Sequence, residues 1–308
     1  MSAASVRRRP LYQIDAFTRR RFAGNPAGVV LDADGMGVAR MQAVARELNN
    51  SETAFVFRGG RGYDVRVRFF TPTTEVPLCG HATIAAHYAR AVAGLAVAGV
   101  VRQRTGAGVL RVDVEPRRGG DFRIWMHQQA PAFGRVFGGA LLARTLAALR
   151  IDRDALGDTP VQVVSTGHPK LLVPLASRAL LDRLSPDLPA LAAISRDTGC
   201  NGFHAFALAG PGEGAAARGR MFAPAIGIAE DPVTGNANGP LGAYLLHYGL
   251  VRPRRGRPAF AAWLRQGDAV GRPGRVRVEV GVSPDSGLPD AVRIGGDAVV
   301  AFQGELLA

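Results

Sequence analysis

Three ionisable side chains that could transfer protons or bind charged groups stand at the boundaries of predicted elements. Glu52 lies in NNSETAFVF, where a predicted helix is followed by a predicted strand. His81 opens a second predicted helix, and Asp231 precedes a third. A buried glutamate in such a loop can shuttle a proton between two carbon atoms. A cation is disfavoured at a helix N-terminus, so His81 suits a neutral hydrogen-bonding role.

The two helix starts, Gly80-His81 and Gly235-Asn236, are candidate binding features in their own right. A helix N-terminus offers unpaired N–H groups and about half a positive charge, and glycine lets a ligand approach the backbone closely. Two such ends would make a cradle for a carboxylate-bearing substrate. We therefore interpret Gly80, His81, Asp231, Gly235 and Asn236 as substrate-binding candidates and Glu52 as the catalytic candidate.

Each of these residues also has an ordinary structural interpretation. Glutamates in turns are commonly solvated, and an aspartate before a proline often starts a turn. A histidine at a helix start can act as a cap or be a satisfied core residue, and glycines can simply shape tight turns. The residue types alone leave both interpretations open. For Glu52, its place inside a repeated loop favours the functional interpretation.

The elements that position these residues alternate short β-type runs with a few helices. Two helices, HATIAAHYARAVAG (81 to 94) and NGPLGAYLLHYG (238 to 249), are small or apolar nearly all round, and such helices belong inside a fold. Amphipathic helices are predicted over 37 to 48 and 141 to 149. Strands are predicted over 12–16, 28–31, 53–57, 65–70, 109–114, 122–126, 161–165, 171–175, 204–208, 218–222, 275–280 and 299–302.

Three segments recur in the same order in both halves of the chain. GNPAGVV resembles GHPKLLV, NNSETAFVF resembles CNGFHAFAL, and FTPTTEVPLCGHA resembles FAPAIGIAEDPVTGNA. Ordered similarity with kept spacing indicates a duplicated unit. We predict two pseudo-symmetric α/β (α+β) halves, each a β-sheet or barrel wrapped around a central helix, with an active-site cleft between them. The predicted domains are 1–128 joined by the C-terminal strand 292–308, and 129–291.

The composition is that of a packed globular chain of 308 residues, 47% of them hydrophobic, with a net charge of +13. All basic residues but Lys170 are arginines, and they are scattered in short runs such as Arg252 to Arg257, without a nucleic-acid reading motif. We expect no nucleic-acid partner. The N-terminal MSAASVRRRP lacks the apolar run of a signal peptide. The apolar stretches of the sequence stay below the ~18 residues that a membrane span needs. The presence of only two cysteines is typical of a reducing compartment. We therefore expect a cytoplasmic protein without a membrane partner.

Other common catalytic motifs are missing from the sequence. No GxSxG, GxGxxG or P-loop pattern occurs, which argues against serine hydrolase, dinucleotide-binding and nucleotide-hydrolysing functions. The histidines besides His81 show no metal-ligand spacing. We predict no metal site and no cofactor.

The segments IDAFTRRRFAGNPAGVV, ARELNNSETAFVF, RFFTPTTEVPLCGHATIAAHY and FAPAIGIAEDPVTGNANGPLGAYL resemble the PhzF-type phenazine-biosynthesis isomerases of the diaminopimelate-epimerase-like fold. The resemblance covers nearly the whole chain and is closest to an uncharacterised bacterial branch of the YddE type. It implies a cofactor-independent isomerase that is a homodimer and acts on a small anionic, carboxylate-bearing substrate. By the same resemblance Glu52 would be the acid/base, with His81 and Asp231 handling the carboxylate and amine groups.

Two residues depart from the phenazine enzymes. Asn236 stands where those enzymes have a serine, and Cys79 precedes Gly80 where they have a small apolar residue. A cysteine before that glycine resembles the two-thiol racemases, which need a second cysteine at the opposite helix start, but Cys200 lies in a different loop. Cys79 and Asn25, the latter in GNPAGVV, are possible secondary site residues. The alternatives are an epimerase or racemase using Cys79, and a non-catalytic binding or interaction protein that kept the fold.

Overall fold

The computed structural model describes residues 7–96, 98–254, 256 and 258–307. The predictions for the first six residues and for Arg255 and Arg257 lie outside the described residues. The chain divides into two compact units: unit 1 comprises Met1–His127 with Gly295–Ala308, and unit 2 comprises Gln128–Ile294.

The strands in chain order are β1 (Arg8–Ala16), β2 (Asn25–Val30), β3 (Glu52–Gly60), β4 (Tyr63–Phe70), β5 (Glu75–Val76), β6 (Gly99–Thr105), β7 (Gly108–Pro116), β8 (Phe122–His127), β9 (Ala132–Val136), β10 (Gln162–Ser165), β11 (Pro169–Pro174), β12 (Phe203–Leu208), β13 (Ala217–Ala223), β14 (Ile228–Asp231), β15 (Phe260–Gln266), β16 (Gly274–Val282), β17 (Pro289–Gly296) and β18 (Ala298–Leu307). The α-helices are α1 (Val38–Leu48), α2 (Gly80–Val92), α3 (Gly139–Leu149), α4 (Arg178–Asp182), α5 (Leu188–Thr198) and α6 (Gly235–His247).

The sheet of unit 1 has the strand order β18, β1, β2, β3, β4, β6, β7, β8. The pairs β2/β3 and β4/β6 are parallel, the other pairs are antiparallel, and β5 adds to β4. Helix α2 contacts strands from both ends and the middle of this sheet. The sheet therefore wraps around α2.

The composition of α2 explains its central position. Every residue of the helix except Arg90 and Val92 is buried, and most of the buried residues are alanine or similarly small. Small side chains let strands approach the helix from several directions without leaving voids. The buried polar groups on the helix are satisfied: His87 Nε2 lies 2.7 Å from Gln103 Oε1, and Gln103 Nε2 donates to Thr83 Oγ1 over 3.3 Å.

Unit 2 repeats the same topology. Its strand order is β9, β10, β11, β12, β13, β15, β16, with parallel pairs at β11/β12 and β13/β15, and with β14 added to β13. Helix α6 corresponds to α2 and contacts β10, β11, β15 and β16. On the outer face of this sheet, an apolar cluster joins α3 and α5 to β11 and β12. The duplicated unit predicted from the sequence is therefore present as two copies of one strand arrangement.

All four predicted helices are present, with α6 beginning three residues earlier than residue 238. The sequence patterns missed α5, whose start combines an Asp187 N-cap, which accepts from the Ala190 N–H, with a proline in the first turn. They also missed β9, in the stretch 128–139 rich in Gly, Pro and Ala, and β6, β15 and β17, together with the short elements α4, β5 and β14. No helix among the described residues is both long and apolar enough to cross a membrane.

Candidate active site

Glu52 is the first residue of β3 and follows a short turn from α1. Helix α1 ends at Leu48, and its C-cap Asn49 adopts a left-handed conformation with φ of 50°, which asparagine tolerates better than most residues. In the β2/β3 pair, Glu52 stands beside Ala27. The turn thus places the carboxylate at the end of the sheet where these two parallel strands begin, and the Glu52 side chain is 13% exposed.

His81 connects Glu52 to Cys79. Its Nε2 lies 3.5 Å from Glu52 Oε2, and its Nδ1 lies 3.4 Å from Cys79 Sγ. The neutral tautomer with its proton on Nε2 fits both neighbours, since Nε2–H points at the carboxylate while Nδ1 accepts from the thiol. Ser51 Oγ is a third neighbour, 3.3 Å from Nε2. Ser51 precedes Glu52 directly but belongs to no motif of its own, so its contact with His81 could not be predicted from the sequence.

Glu52, Cys79 and His81 each offer one potential ligand atom, and these atoms lie within 4.8 Å of one another. A carboxylate, a thiolate and an imidazole are ligand types that zinc accepts. Here, however, the carboxylate and the thiol lie against opposite nitrogens of one imidazole ring. A single metal ion binds one nitrogen of a histidine, so this arrangement fits separate polar contacts on the two sides of the imidazole better than a shared metal.

The first turn of α2 adds backbone donors to this cluster. The helix begins at Gly80 after Cys79 in extended conformation, and the Cys79 side chain makes no capping hydrogen bond. The first N–H groups of a helix have no acceptor within it, and Gly80 and His81 are buried. Buried N–H groups require a partner, so the start of α2 is suited to receive an anion.

Asn25 is the first residue of β2 and is fully buried. It lies two residues before Ala27, the neighbour of Glu52 in the β2/β3 pair. Asn25 therefore lies at the same end of the sheet as the cluster of Glu52, Cys79 and His81.

In unit 2, Asp231 ends β14 and begins the turn into α6. Its Oδ2 accepts a hydrogen bond from Thr234 Oγ1, and the carboxylate is 6% exposed. Gln266 of β15 holds this turn: its Nε2 donates to Asp231 O over 2.8 Å, and its Oε1 accepts from the Thr234 N–H over 3.1 Å. The role of Gln266 could not be predicted from the sequence, because only the strand pairing brings β15 to this turn.

Helix α6 begins at Gly235 with Thr234 as its N-cap, again without a side-chain capping bond. Asn236 Oδ1 accepts from Gln128 Nε2 over 2.9 Å, and Gln128 Oε1 accepts from Thr166 Oγ1 over 2.9 Å. These two hydrogen bonds fix the orientation of the Asn236 side chain. Its amide oxygen is occupied by Gln128, and its NH₂ group points away from Gln128 and can act as a donor. Gln128 and Thr166 carry no motif and were not predicted.

Four of the five other histidines lie in defined local environments. Burial lowers the pKa of His87 to about 3 and that of His204 to about 3, so both are neutral at physiological pH. His127 Nε2 lies 2.9 Å from Asp113 Oδ2, and His247 stacks on Phe133. None of these four belongs to the potential ligand group of Glu52, Cys79 and His81.

Solved structures define the class of protein. A probable proline racemase from Agrobacterium radiobacter superposes with a TM-score of 0.64 at 14% identity, covering 97% of this chain and 92% of its own, which shows the fold alone. A PhzF-family phenazine biosynthesis protein from Bacillus anthracis superposes with a TM-score of 0.86 at 30% identity, covering 98% of this chain and 100% of its own. The predicted diaminopimelate-epimerase-like fold is confirmed.

The family itself follows from the sequence comparisons. The family of phenazine biosynthesis-like proteins, PhzC-PhzF, matches residues 14–304. The chain is 49% identical to an uncharacterised isomerase of Clostridium acetobutylicum, covering 98% of this chain and 99% of the relative. It is 47% identical to the uncharacterised isomerase YddE of Escherichia coli, covering 96% and 97%. A trans-2,3-dihydro-3-hydroxyanthranilate isomerase of Pseudomonas fluorescens is 34% identical, covering 84% and 86%. The chain belongs to the PhzF family of isomerases.

Proposed function

We propose that this isomerase moves a proton between two carbon atoms of a small carboxylate-bearing substrate, with Glu52 as general acid and base and without a cofactor. The observation that carries the proposal is the placement of the largely shielded Glu52 carboxylate, 13% exposed, beside His81 at the uncapped start of α2. An anion bound by helix N–H groups and a carboxylate within reach of its neighbouring carbon are the two requirements of such a proton transfer.

The proposed roles follow from the contacts of each group. Glu52 Oε2 makes no hydrogen bond among the described residues, so a lone pair is available to take a proton from carbon. His81 Nε2–H, 3.5 Å away, can stabilise the carboxylate before transfer and reorient it afterwards. The N–H groups of Gly80 and His81 would bind the substrate carboxylate and stabilise negative charge that develops on it.

In unit 2 we propose Asp231, Gly235 and Asn236 as substrate-binding groups. Gly235 provides a second uncapped helix start, and the Asn236 amide is held by Gln128 so that its NH₂ group can donate to an oxygen of the substrate. Asp231 would accept from a donor such as an amine. The homodimer remains a proposal that rests on the resemblance. The cytoplasmic location and the small anionic substrate remain proposals that rest on the sequence.

Cys79 favours a second candidate, an epimerase or racemase, because its thiol lies against His81 Nδ1. A two-base racemase needs a second base of matching reach on the opposite face of the carbon. The N-cap of α6 that corresponds to Cys79 is Thr234, whose hydroxyl is donated to Asp231, and Cys200 lies in the loop before β12. We therefore rank the thiol mechanism below the glutamate mechanism.

The test uses Glu52→Gln, which removes the ionisable group and keeps the shape of the side chain. Trans-2,3-dihydro-3-hydroxyanthranilate and a panel of small 2-amino and 2-hydroxy carboxylates would be incubated with the enzyme in D₂O, and deuterium at carbon would be followed by mass spectrometry. We expect Glu52→Gln to lower the exchange rate by at least about a hundredfold. The matched control is Glu47→Gln, an exposed glutamate on the neighbouring helix α1, which should behave as the wild type.

Two outcomes would overturn the proposal. Full exchange by Glu52→Gln would remove Glu52 from the chemistry. Tight binding of a panel member to the wild-type protein, with no exchange at any carbon, would favour the non-catalytic binding function.

A further inference from the structure

Lys170 is the one lysine of the sequence, and it is buried in unit 2. It lies on β11 with 4% of its surface exposed, and its Nζ donates a hydrogen bond to Asn201 Oδ1. Burying an ammonium group is costly unless charges and hydrogen bonds compensate it. Elsewhere the chain uses arginine as its cation, so this buried lysine calls for an explanation.

The stem of Lys170 lies on the side of the sheet that leads to Asp231. A Cβ added at Gly202 would meet Lys170 Cδ at 3.2 Å and Met221 Sδ at 3.0 Å, so both side chains pack over that glycine. Met221 is in turn the register partner of Asp231 in the β13/β14 pair, and it clusters with Ala237 in the first turn of α6. Lys170 thus reaches toward the turn that carries Asp231 and the start of α6.

Among the charged and titratable groups around Lys170, Asp231 carries the opposite charge at neutral pH. Burial lowers the pKa of Lys170 to about 8, while the Cys200 thiol and, to a lesser extent, the Asp231 carboxylate act in the opposite direction and raise it. Burial raises the pKa of the Cys200 thiol and lowers the pKa of His204 to about 3 and that of His168. At neutral pH these three groups are uncharged, and Asp231 is the carboxylate that acts on the lysine.

The duplicated unit shows that the fold does not need this lysine. Lys170 in GHPKLLV corresponds to Ala27 in GNPAGVV, and Asn201 corresponds to Asn50. In unit 1, Asn50 instead exchanges two amide hydrogen bonds with Gln13, at 2.7 and 2.9 Å. The same strand arrangement is therefore built without a cation at this position, and a cation stands there only in the copy that carries Asp231.

We propose that Lys170 is a positioning residue that offsets the charge of Asp231, so that the start of α6, with Asn236, can receive a carboxylate of the substrate. The proposal rests on the anionic substrate of the proposed function. An uncompensated Asp231 would repel an anion at this helix start, whereas the Lys170–Asp231 pair is neutral overall. The pair loses this compensation as the pH rises through the pKa of the lysine and the ammonium becomes an amine.

The first experiment needs no substrate. Protein grown with ¹³C-labelled lysine gives a single Cε resonance, because the sequence contains one lysine, and Lys170→Met removes it as a check of the assignment. We expect the resonance to titrate with a midpoint near 8 in the wild type and at a lower pH in Asp231→Asn, since the carboxylate that raises the pKa is gone. An unchanged midpoint in Asp231→Asn, with the fold verified by circular dichroism, would overturn the proposal.

The second experiment measures anion binding with benzoate, a carboxylate without an amine, by isothermal titration calorimetry. We expect wild-type affinity to fall about tenfold between about pH 7 and about pH 10, as the lysine loses its proton. Lys170→Met should bind weakly at both pH values, and Lys170→Arg, which stays charged, should lose this pH dependence and keep the affinity. Wild-type affinity in Lys170→Met with the same pH dependence would contradict the role. Absence of benzoate binding at every pH would count against the anionic substrate, while the lysine titration would still decide whether Lys170 is coupled to Asp231.

Discussion

Glu52 and Phe203 occupy corresponding positions at the first residues of β3 and β12, so the two copies of the unit differ in an ionisable group at the same point of the fold. Lys170 and Ala27 differ in the same way one strand earlier. The duplication therefore yields one strand arrangement with a carboxylic acid, Glu52, in one copy and a buried cation, Lys170, in the other. A difference between equivalent positions indicates function more specifically than residue type alone does. Both copies have the same fold, so the fold itself does not require the residue that differs.

The role of Cys79 gives a prediction at this scale. Because the thiol contacts His81 Nδ1 rather than Glu52, we expect it to orient the imidazole and not to take the proton from carbon. Cys79→Ser keeps a donor and should retain activity within about threefold, and Cys79→Ala should lose at most about tenfold, far less than a general acid/base contributes. The measurement is deuterium incorporation into the carboxylate that the wild type turns over.

The matched control for Cys79 is Cys200→Ser, which alters the other buried thiol in the loop before β12. Abolished exchange in both Cys79 variants, with Cys200→Ser active, would instead assign the proton transfer to the thiol and favour the racemase mechanism.

Among the elements, the two central helices were the most predictable. HATIAAHYARAVAG has no polar face, and a helix of that kind can only be stable inside a fold, so its burial followed from composition. The positions of Glu52 and His81 at element boundaries were also predictable, because the helices and the strand that flank them have clear hydrophobic patterns. Gln128, Gln266 and the Lys170–Asn201 bond were not, since they depend on strand pairings between distant segments. Helix α5 was missed although Asp187 and the following proline are an ordinary helix start.

Helix α6 gives a prediction at the scale of elements. A Cβ at Gly242 would lie 2.5 Å from Val278 Cγ1 on β16, and a β-branched valine has little rotamer freedom to move away. Alanine normally stabilises a helix interior by about 1 kcal/mol over glycine, but overpacking costs about 1–3 kcal/mol. We therefore expect Gly242→Ala to lower the free energy of unfolding by about 1 kcal/mol, measured by urea denaturation.

The double variant Gly242→Ala/Val278→Ala tests the cause. Removing the valine methyl groups relieves the contact, so the alanine at 242 should cost less in the Val278→Ala background than in the wild type. Equal costs in both backgrounds would place the effect of Gly242→Ala elsewhere than at the α6–β16 contact.

The whole molecule carries a net charge of +13, and many of its arginines form ion pairs with carboxylates. Arg19 and Arg123 both bind Asp297, Arg218 binds Glu213 and Asp268, and Arg220 binds Glu230. Other guanidinium groups lie over aromatic rings, as Arg275 does over Trp263. These contacts fit arginine as a general cation of this chain. Lys170 departs from this use, since its ammonium is buried and its pKa is lowered.

That departure predicts how the stability of the protein depends on pH. The pKa of Lys170 is about 8 in the folded chain and near 10.5 when solvated, so between these values the unfolded chain binds more protons. The free energy of unfolding contributed by this residue therefore rises with pH from about 8 to about 10.5, and near neutral pH the buried ammonium costs up to about 3 kcal/mol. We expect Lys170→Met to be the more stable protein at pH 7.

Urea denaturation of both proteins over this pH range makes the comparison. The tyrosines titrate in both proteins alike. The Cys200 thiol is coupled to Lys170, so both proteins carry Cys200→Ser, and the difference between them then isolates Lys170. The stability advantage of Lys170→Met should shrink as the pH approaches about 10, while its anion binding stays weak throughout. A more stable variant that binds benzoate less well would mark Lys170 as a residue kept for function at the expense of stability. A difference that does not change with pH over this range would mean that the pKa of Lys170 is not lowered in the folded protein.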